Sequence, residues 1–235
     1  MRAVIMAVRR RLDFIVLCET KLRDAILVRA LAHSAAPGRH FRILISCRPP
    51  SFGINGDLNP ASGGILVLVF NPSLTIIDSW EDKRGILSFS ARLPYTAPFA
   101  CVCVYYPDAA SPYSRWTDSL IEASAREIQR RRAVVGQLVF WVGDFNVRIG
   151  KFLRRITPDD KVILTRRARF LRRTLRALGM QPVHGRAEHL PAQFTSTQIA
   201  GQKGLAEVDF IVAPTALPAD LRAVSSHPVP TVGQQ

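Results

Sequence analysis

The sequence predicts an α+β domain, because apolar strand segments crowd its middle, amphipathic helical segments lie around them, and no linker divides the chain. The strands carry most of that reading. "GILVLVF" (64–70), "LTIIDSW" (74–80), "GILSFSARL" (85–93) and "FACVCVYY" (99–106) follow one another across short connections, as antiparallel neighbours do and βαβ units do not. At 235 residues the chain reads as one domain, 1–235, with ample length for a core.

The other elements follow in chain order. Ile5, Val8 and Leu12 space an opening helical stripe that leads into a strand at "DFIVLC" (13–18). "KLRDAILVRALAH" (21–33) returns to helical spacing at Leu22, Ile26 and Ala30, and "FRILIS" (41–46) is a strand. Residues 47–64, rich in Pro, Gly and Asn, read as a long loop. After the four-strand run, a helix over 114–132 sets Trp116, Leu120, Ile121 and Ile128 broadly on one side. Its Arg130-Arg131-Arg132 end complements the negative pole of the helix dipole. "LVFWV" (138–142), β-branched and aromatic, reads as a strand covered on both faces. The spacing then predicts a helix over 158–178, with Thr157 as N-cap, Pro158 in the first turn and Asp159 and Asp160 at its positive end. Leu164, Ala168, Leu171, Leu175 and Leu178 form its buried stripe, and Gly179 ends it. The last strand is "AEVDFIVAP" (206–214).

Composition narrows the partners. Lys and Arg number 32 against 18 acidic residues, a net charge of +14 carried largely by arginine. Such a balance favours an anionic partner, with nucleic acid before an anionic membrane surface, unless it only mirrors the codon usage of the genome. Cys18, Cys47, Cys101 and Cys103 form no Cys-x-x-Cys pair, which argues against a zinc site. Cys18 and the Cys101/Cys103 pair lie inside apolar runs, as small hydrophobes do. No apolar run approaches the ~20 residues of a membrane helix. These features predict a soluble protein in a reducing intracellular setting, and in the nucleus of a eukaryotic host.

Chemistry-bearing residues recur where apolar strands end. Glu19 follows "DFIVLC", Tyr105 closes "ACVCVY", and Asp144 and Asn146 follow "VFWVG". Asp209 sits inside "EVDFIV", where an unpaired carboxylate is costly to bury, and His227 lies in "SSHPV" near the end of the chain. Singly, each is more often a turn, a core tyrosine or a solvated side chain than a functional residue. Asp144 and Asn146 are one residue apart, so an extended backbone points both to the same side. A second copy, "GDLN" at 56–59, has no strand behind it and reads as a turn.

In order along the chain, "LCETKL" (17–22), "GGILVLV" (63–69), "VYYPD" (104–108), "VGDFNV" (142–147), "FTS…AEVDF", "EVDFIV" (207–212) and "SSHPV" (225–229) resemble the endonuclease/exonuclease/phosphatase superfamily. The nearest likeness is to the endonuclease domains of non-LTR retrotransposons, and it covers nearly the whole chain. The resemblance implies a four-layer α/β sandwich, two packed and mostly antiparallel sheets flanked by helices. It also implies Mg²⁺-dependent hydrolysis of phosphodiester bonds in DNA, with Mn²⁺ as an alternative ion and no small-molecule cofactor. Glu19 would hold the metal. Asp144 would position or deprotonate the attacking water, Asn146 and Tyr105 would donate to the phosphate, and Asp209 would orient His227, which contacts the phosphate too. Arg166, Arg169 and Arg173 would meet the nucleic-acid backbone.

Two departures from the family pattern set the expectations to test. The family's first strand, ending in Asn, has no counterpart ahead of "RAVIMAV", so the sheet is expected to lack that strand. Ser226 stands where the family has a carboxylate beside the histidine. A catalytically impaired remnant that binds nucleic acid, or a phosphatase acting on a small phosphoester or phosphoinositide, are the alternatives. Oligomeric state and target sequence are left open.

Overall fold

The structure is a computed structural model and describes residues 11–20, 26, 30, 33–34, 41–48, 63–107, 111, 113–153, 163–183, 196–197, 205–206 and 208–216. The first strands are β1 (Phe14–Cys18), β2 (Arg42–Ser46) and β3 (Ile65–Val69). They make a three-stranded antiparallel sheet in the order β1-β3-β2. The larger sheet contains β4 (Thr75–Asp82), β5 (Ile86–Arg92), β6 (Phe99–Tyr105), β7 (Val139–Asp144), β8 (Met180–Pro182) and β11 (Asp209–Pro214). Its order is β4-β5-β6-β7-β11-β8, and β6–β7 is its one parallel pair. β9 (Ser196–Thr197) and β10 (Leu205–Ala206) form a two-stranded ladder. The connection from β6 to β7 contains a short 3₁₀ turn, Ser114–Trp116, and helix α1 (Thr117–Val135). Helix α2 (Arg166–Ala177) precedes β8.

Strand alternation divides the larger sheet between two cores. Ala100, Val102, Val104, Trp141, Phe210 and Val212 face the helices, where they meet Leu120, Ile121, Ile128, Leu171 and Leu175. Leu87, Phe89, Cys101, Cys103 and Tyr105 face the smaller sheet, against Ile65, Val67, Val69, Phe14 and Cys18. Leu66 and Leu68 turn to the outer side of the smaller sheet with Ile15, Leu17 and Ile43. The two packed sheets are thus mostly antiparallel, as expected. Residues 26, 30, 33 and 34 are helical, His33 stacks on Phe41 beside Leu66 and Leu68, and Ile26 is exposed. The opening stripe Ile5–Val8 and the residues at 56–59 lie outside the described residues.

Two helix boundaries differ from expectation. The first helix runs from Thr117 to Val135, because the Ser114–Trp116 segment is wound as a 3₁₀ turn. The second begins at Arg166. Its N-cap is Thr165, whose hydroxyl accepts the Ala168 N–H at 3.1 Å, while Thr157 to Asp160 lie outside the described residues. A threonine eight positions later offers the same cap, and the arginine-rich turn after it can start a helix without acidic residues. The buried stripe Ala168, Leu171, Leu175 and Leu178 is as the spacing predicts.

The arginine run at 130–132 does more than complement a dipole. Arg131 is fully buried between α1 and the sheet, where its Nε donates to Glu127 at 2.7 Å. Its Nη1 and Nη2 donate to Ser90 and Ser88, each at 2.8 Å, and Nη1 also reaches Asp78. Arg130 donates two hydrogen bonds to Glu127, and Arg132 caps α2 through the Leu178 carbonyl at 2.7 Å. Burial works against ionisation of Glu127, but the hydrogen bonds from Arg130, Ser88 and Arg131 outweigh it and lower its pKa.

Candidate active site

The parallel pairing of β6 and β7 sets Tyr105 opposite Asp144, and the antiparallel pairing of β7 and β11 sets Asp209 opposite the same residue. Three of the residues picked out by the sequence therefore stand in one row across three adjacent strands. Phe210 belongs to the helix-side core and Tyr105 to the core between the sheets, so alternation directs Asp209 with Tyr105 to the inter-sheet side. The row depends on a close approach of backbones. Gly143 has φ +136°, and a Cβ there would lie 2.0 Å from the Val104 carbonyl oxygen. No other residue fits that position.

"GDFN" is a clasp. The Asp144 Oδ1 accepts the backbone N–H of Asn146 at 2.8 Å. The Asn146 side-chain amide donates to the Tyr106 carbonyl at 2.8 Å and to Asp144 Oδ2 at 3.1 Å. This geometry needs Asn146 at φ +46°, a left-handed conformation that asparagine tolerates better than most residues. The backbone continues the ladder on both sides, with Tyr106 N–H to the Asp144 carbonyl and Phe145 N–H to the Val208 carbonyl, each 2.9 Å. Phe145 itself is fully buried against Tyr106, Trp141 and Phe210, which anchors the turn from below.

Glu19 enters from the other sheet. β1 packs over β6 and β7, and the Cys18 thiol points at the Val104 carbonyl at 3.3 Å. The next residue, Glu19, is exposed and has φ +54°, an unusual conformation for a glutamate. Burial pushes the Asp144 carboxyl up to about 8, and the nearby charges of Asp209 and Glu19 add to the rise against the hydrogen bonds from Asn146. Burial likewise pushes the Cys18 thiol up to about 12, and the charges of Asp144, Asp209 and Glu19 add to the rise against a hydrogen bond to the Asp144 backbone. Three carboxylates from three strand ends thus feel one another, in a chain whose net charge is +14.

Tyr105 is only 3 % exposed. The guanidinium of Arg48 stands 5.1 Å from the centre of its ring and 5.0 Å from that of Tyr113. Arg48 is itself buried and donates to the Arg84 carbonyl at 2.6 and 3.1 Å. Burial lowers its pKa. Gly63 makes room for it, since a Cβ there would come within 2.8 Å of the guanidinium carbon. The sequence gives no sign of this role: Arg48 falls in what reads as a loop, next to Pro49.

His227 and Ser226 lie outside the described residues. Arg166, Arg169 and Arg173 are exposed on α2, which covers the helix-side face of the larger sheet, so they do not join the carboxylate row. Among the described residues no group of three His, Cys, Asp or Glu side chains forms a closed metal cage. The donor set nevertheless suits a hard divalent cation. Mg²⁺ keeps several waters and takes only one or two protein carboxylates, and mutually repelling acids gain from a cation beside them. No helix among the described residues is long and apolar enough to cross a membrane.

No family model and no curated protein matches the chain in sequence. Solved structures match it in shape. The human Nocturnin catalytic domain with bound sulfate superposes with a TM-score of 0.59 at 10% identity, over 90% of this chain and 73% of that one. NExo from Neisseria, a 3′ phosphatase bound to a product DNA hairpin, gives 0.54 at 16% identity, over 90% and 82%. An AP endonuclease from Archaeoglobus fulgidus gives 0.56 at 14% identity, over 89% and 79%. At these identities the likeness establishes architecture alone: the chain shares the two-sheet α/β sandwich of these neighbours.

Proposed function

We propose that the protein is a metal-dependent phosphodiester hydrolase acting on DNA, an endonuclease of the non-LTR retrotransposon kind. The observation that carries this reading is the row of Tyr105, Asp144 and Asp209, with Asn146 clasped to Asp144 and the charge of Glu19 felt there. The strand-end motifs in family order and a neighbour of the same fold bound to product DNA support it.

Each residue has a task set by its chemistry. Asp144, once ionised, accepts a proton from an attacking water or holds that water in line. Asn146 already spends its amide on Asp144 and the Tyr106 carbonyl, so it fixes the carboxylate's orientation and offers a hydrogen to a phosphate oxygen only by sharing one of these bonds. Tyr105 offers its hydroxyl to the phosphate, and the cation above its ring favours that donor role. Asp209 holds the ring of His227 in the tautomer that donates to phosphate. Glu19 would hold a divalent ion, which when bound would supply positive charge at the scissile phosphate and the leaving oxygen.

Nicking of supercoiled plasmid, with Mg²⁺ or with EDTA, tests the proposal. Nicking that requires Mg²⁺ and falls at least roughly 100-fold in both Asp144→Ala and His227→Ala is expected. A folded protein that never nicks, yet binds DNA with steep salt dependence, would show a remnant with binding alone. Release of phosphate from small phosphoesters without nicking would favour a phosphatase.

A further inference from the structure

The outer face of α2 carries five arginines, Arg166, Arg169, Arg172, Arg173 and Arg176, which with Leu164 line a groove of about 360 Å³. Among the described residues the groove lining includes no acidic side chain. Arg167, on the neighbouring side, is the one that finds a carboxylate, Asp118 at 3.5 Å. None of the five in the groove makes an ion pair among the described residues. Arg172 and Arg176 instead stand 5.4 and 5.5 Å from the ring centre of Phe152, so both share one aromatic ring. Burial, and then the adjacent charge of Arg176, lowers the pKa of Arg172. Like charges gather here with no acidic partner among the described residues, which costs free energy that an anion in the groove would offset.

We infer that this groove is a second nucleic-acid site, taking the sugar–phosphate backbone of a single polynucleotide strand apart from the carboxylate row. Spacing and position support that occupant. Arg166, Arg169, Arg173 and Arg176 follow one another at three- and four-residue steps, so they form a single stripe along the helix. At ~1.5 Å per residue the stripe is about 15 Å long, enough for roughly three successive phosphates of an extended strand. An anionic membrane suits the face less well, because Ala168, Leu171 and Leu175 of α2 are spent on the core, and of the described residues beside the five arginines only Leu164 in the groove and the exposed Ile163 before the helix could insert. The stripe also has a direction. Arg167 of the first turn bonds the Ser114 carbonyl, just beyond the end of β6 where Tyr105 stands, whereas Leu178 bonds Arg132 at the end of α1. The groove therefore starts at the end of the sheet that carries Asp144 and leads away from it. A strand lying in it would tether the substrate beside the chemistry. The inference rests on the proposed function only for the identity of that chemistry.

Binding of a fluorescein-labelled single-stranded 12-nucleotide DNA, read by anisotropy in EDTA at several salt concentrations, tests the groove without any cleavage. Arg169→Gln/Arg173→Gln is compared with Arg92→Gln/Arg126→Gln, an equal loss of exposed charge elsewhere, and with Asp144→Asn. The groove pair is expected to weaken binding at least roughly 10-fold and to flatten the slope of log K against log salt by about 1.4, at ~0.7 for each phosphate that the protein ceases to neutralise. The control pair should stay within about twofold, and Asp144→Asn should bind at least as well as the parent. Equal losses in both arginine pairs would overturn the inference in favour of diffuse attraction, as would no loss in the groove pair. Phosphatidylserine vesicles that bind more tightly than DNA through the same two arginines would overturn it in favour of a membrane. Failure to nick plasmid with groove binding intact would sink only the proposed function, and nicking with no groove effect would sink only the groove.

Discussion

At the scale of single residues, Asp144 departs far from ordinary carboxylate behaviour. Its carboxyl, pushed up from 3.8 to about 8 by burial and by Asp209 and Glu19, is protonated in the folded protein near neutral pH when no cation is present. The folded pKa lies above the unfolded one, so the folded state holds the extra proton between those limits. The stability this provides is complete below about pH 4 and is lost as pH rises towards 8. In EDTA, the melting temperature should therefore fall more steeply between about pH 5 and pH 8 in the parent than in Asp144→Asn, which has no proton to lose. Parallel curves for the two proteins would refute the neutral carboxyl. Mg²⁺ should reduce the difference by favouring the charged form. The sequence shows Asp144 and Asn146 as a pair because their spacing alone places them on one side. It could not show the left-handed Asn146 that turns the pair into a clasp, nor Arg48 over the Tyr105 ring, because both depend on residues distant in the chain.

At the scale of elements, α1 is fastened to the larger sheet by charge as well as by its apolar stripe. Arg131, with no exposed surface, is compensated by Glu127, Asp78, Ser88 and Ser90 together. Arg131→Met removes the one fully buried cation that faces Glu127 and leaves the acid to Arg130 and Ser88, and a loss of about 3 kcal/mol is expected in urea denaturation. Arg131→Met/Glu127→Leu should recover much of it, since no buried charge then remains. A double variant no better than the single would show that the arginine's shape, and not the orphaned acid, matters. The cluster has the opposite pH sense to Asp144: Glu127 has a lowered pKa, so its contribution is full above the unfolded value of 4.5 and is lost as pH falls through the folded one. Sequence periodicity finds α1 and α2 because their buried stripes repeat at helical spacing. It misplaces the start of α2 because Thr157 and Thr165 are equally good caps in isolation, and it misses β8, three residues whose pairing with β11 is not a local property.

At the scale of the molecule, the larger sheet is the shared wall of two cores, and its centre is the part covered on both sides. β6 is buried over nearly its whole length, whereas β4, at the sheet's margin in the order of strands, alternates between exposed and half-buried residues. Amide hydrogen exchange should accordingly be slowest in β6 and β7 and measurably faster in β4. Equal protection in β4 and β6 would contradict this order. The same centre holds Tyr105 and Asp144, so the candidate site is built on the most protected strands, while the groove of α2 lies on an outer layer. Because neighbouring strand residues face opposite layers, deleting one residue between Val139 and Asp144 would turn the Asp144 side chain into the helix-side core and bring Phe145 round to replace it, and an insertion there would put the preceding residue in its place. The loop from Asn146 onward carries no such condition. The catalytic row has, in effect, a reading frame: variation in loop length leaves it legible, and a single frameshift within β7 erases it.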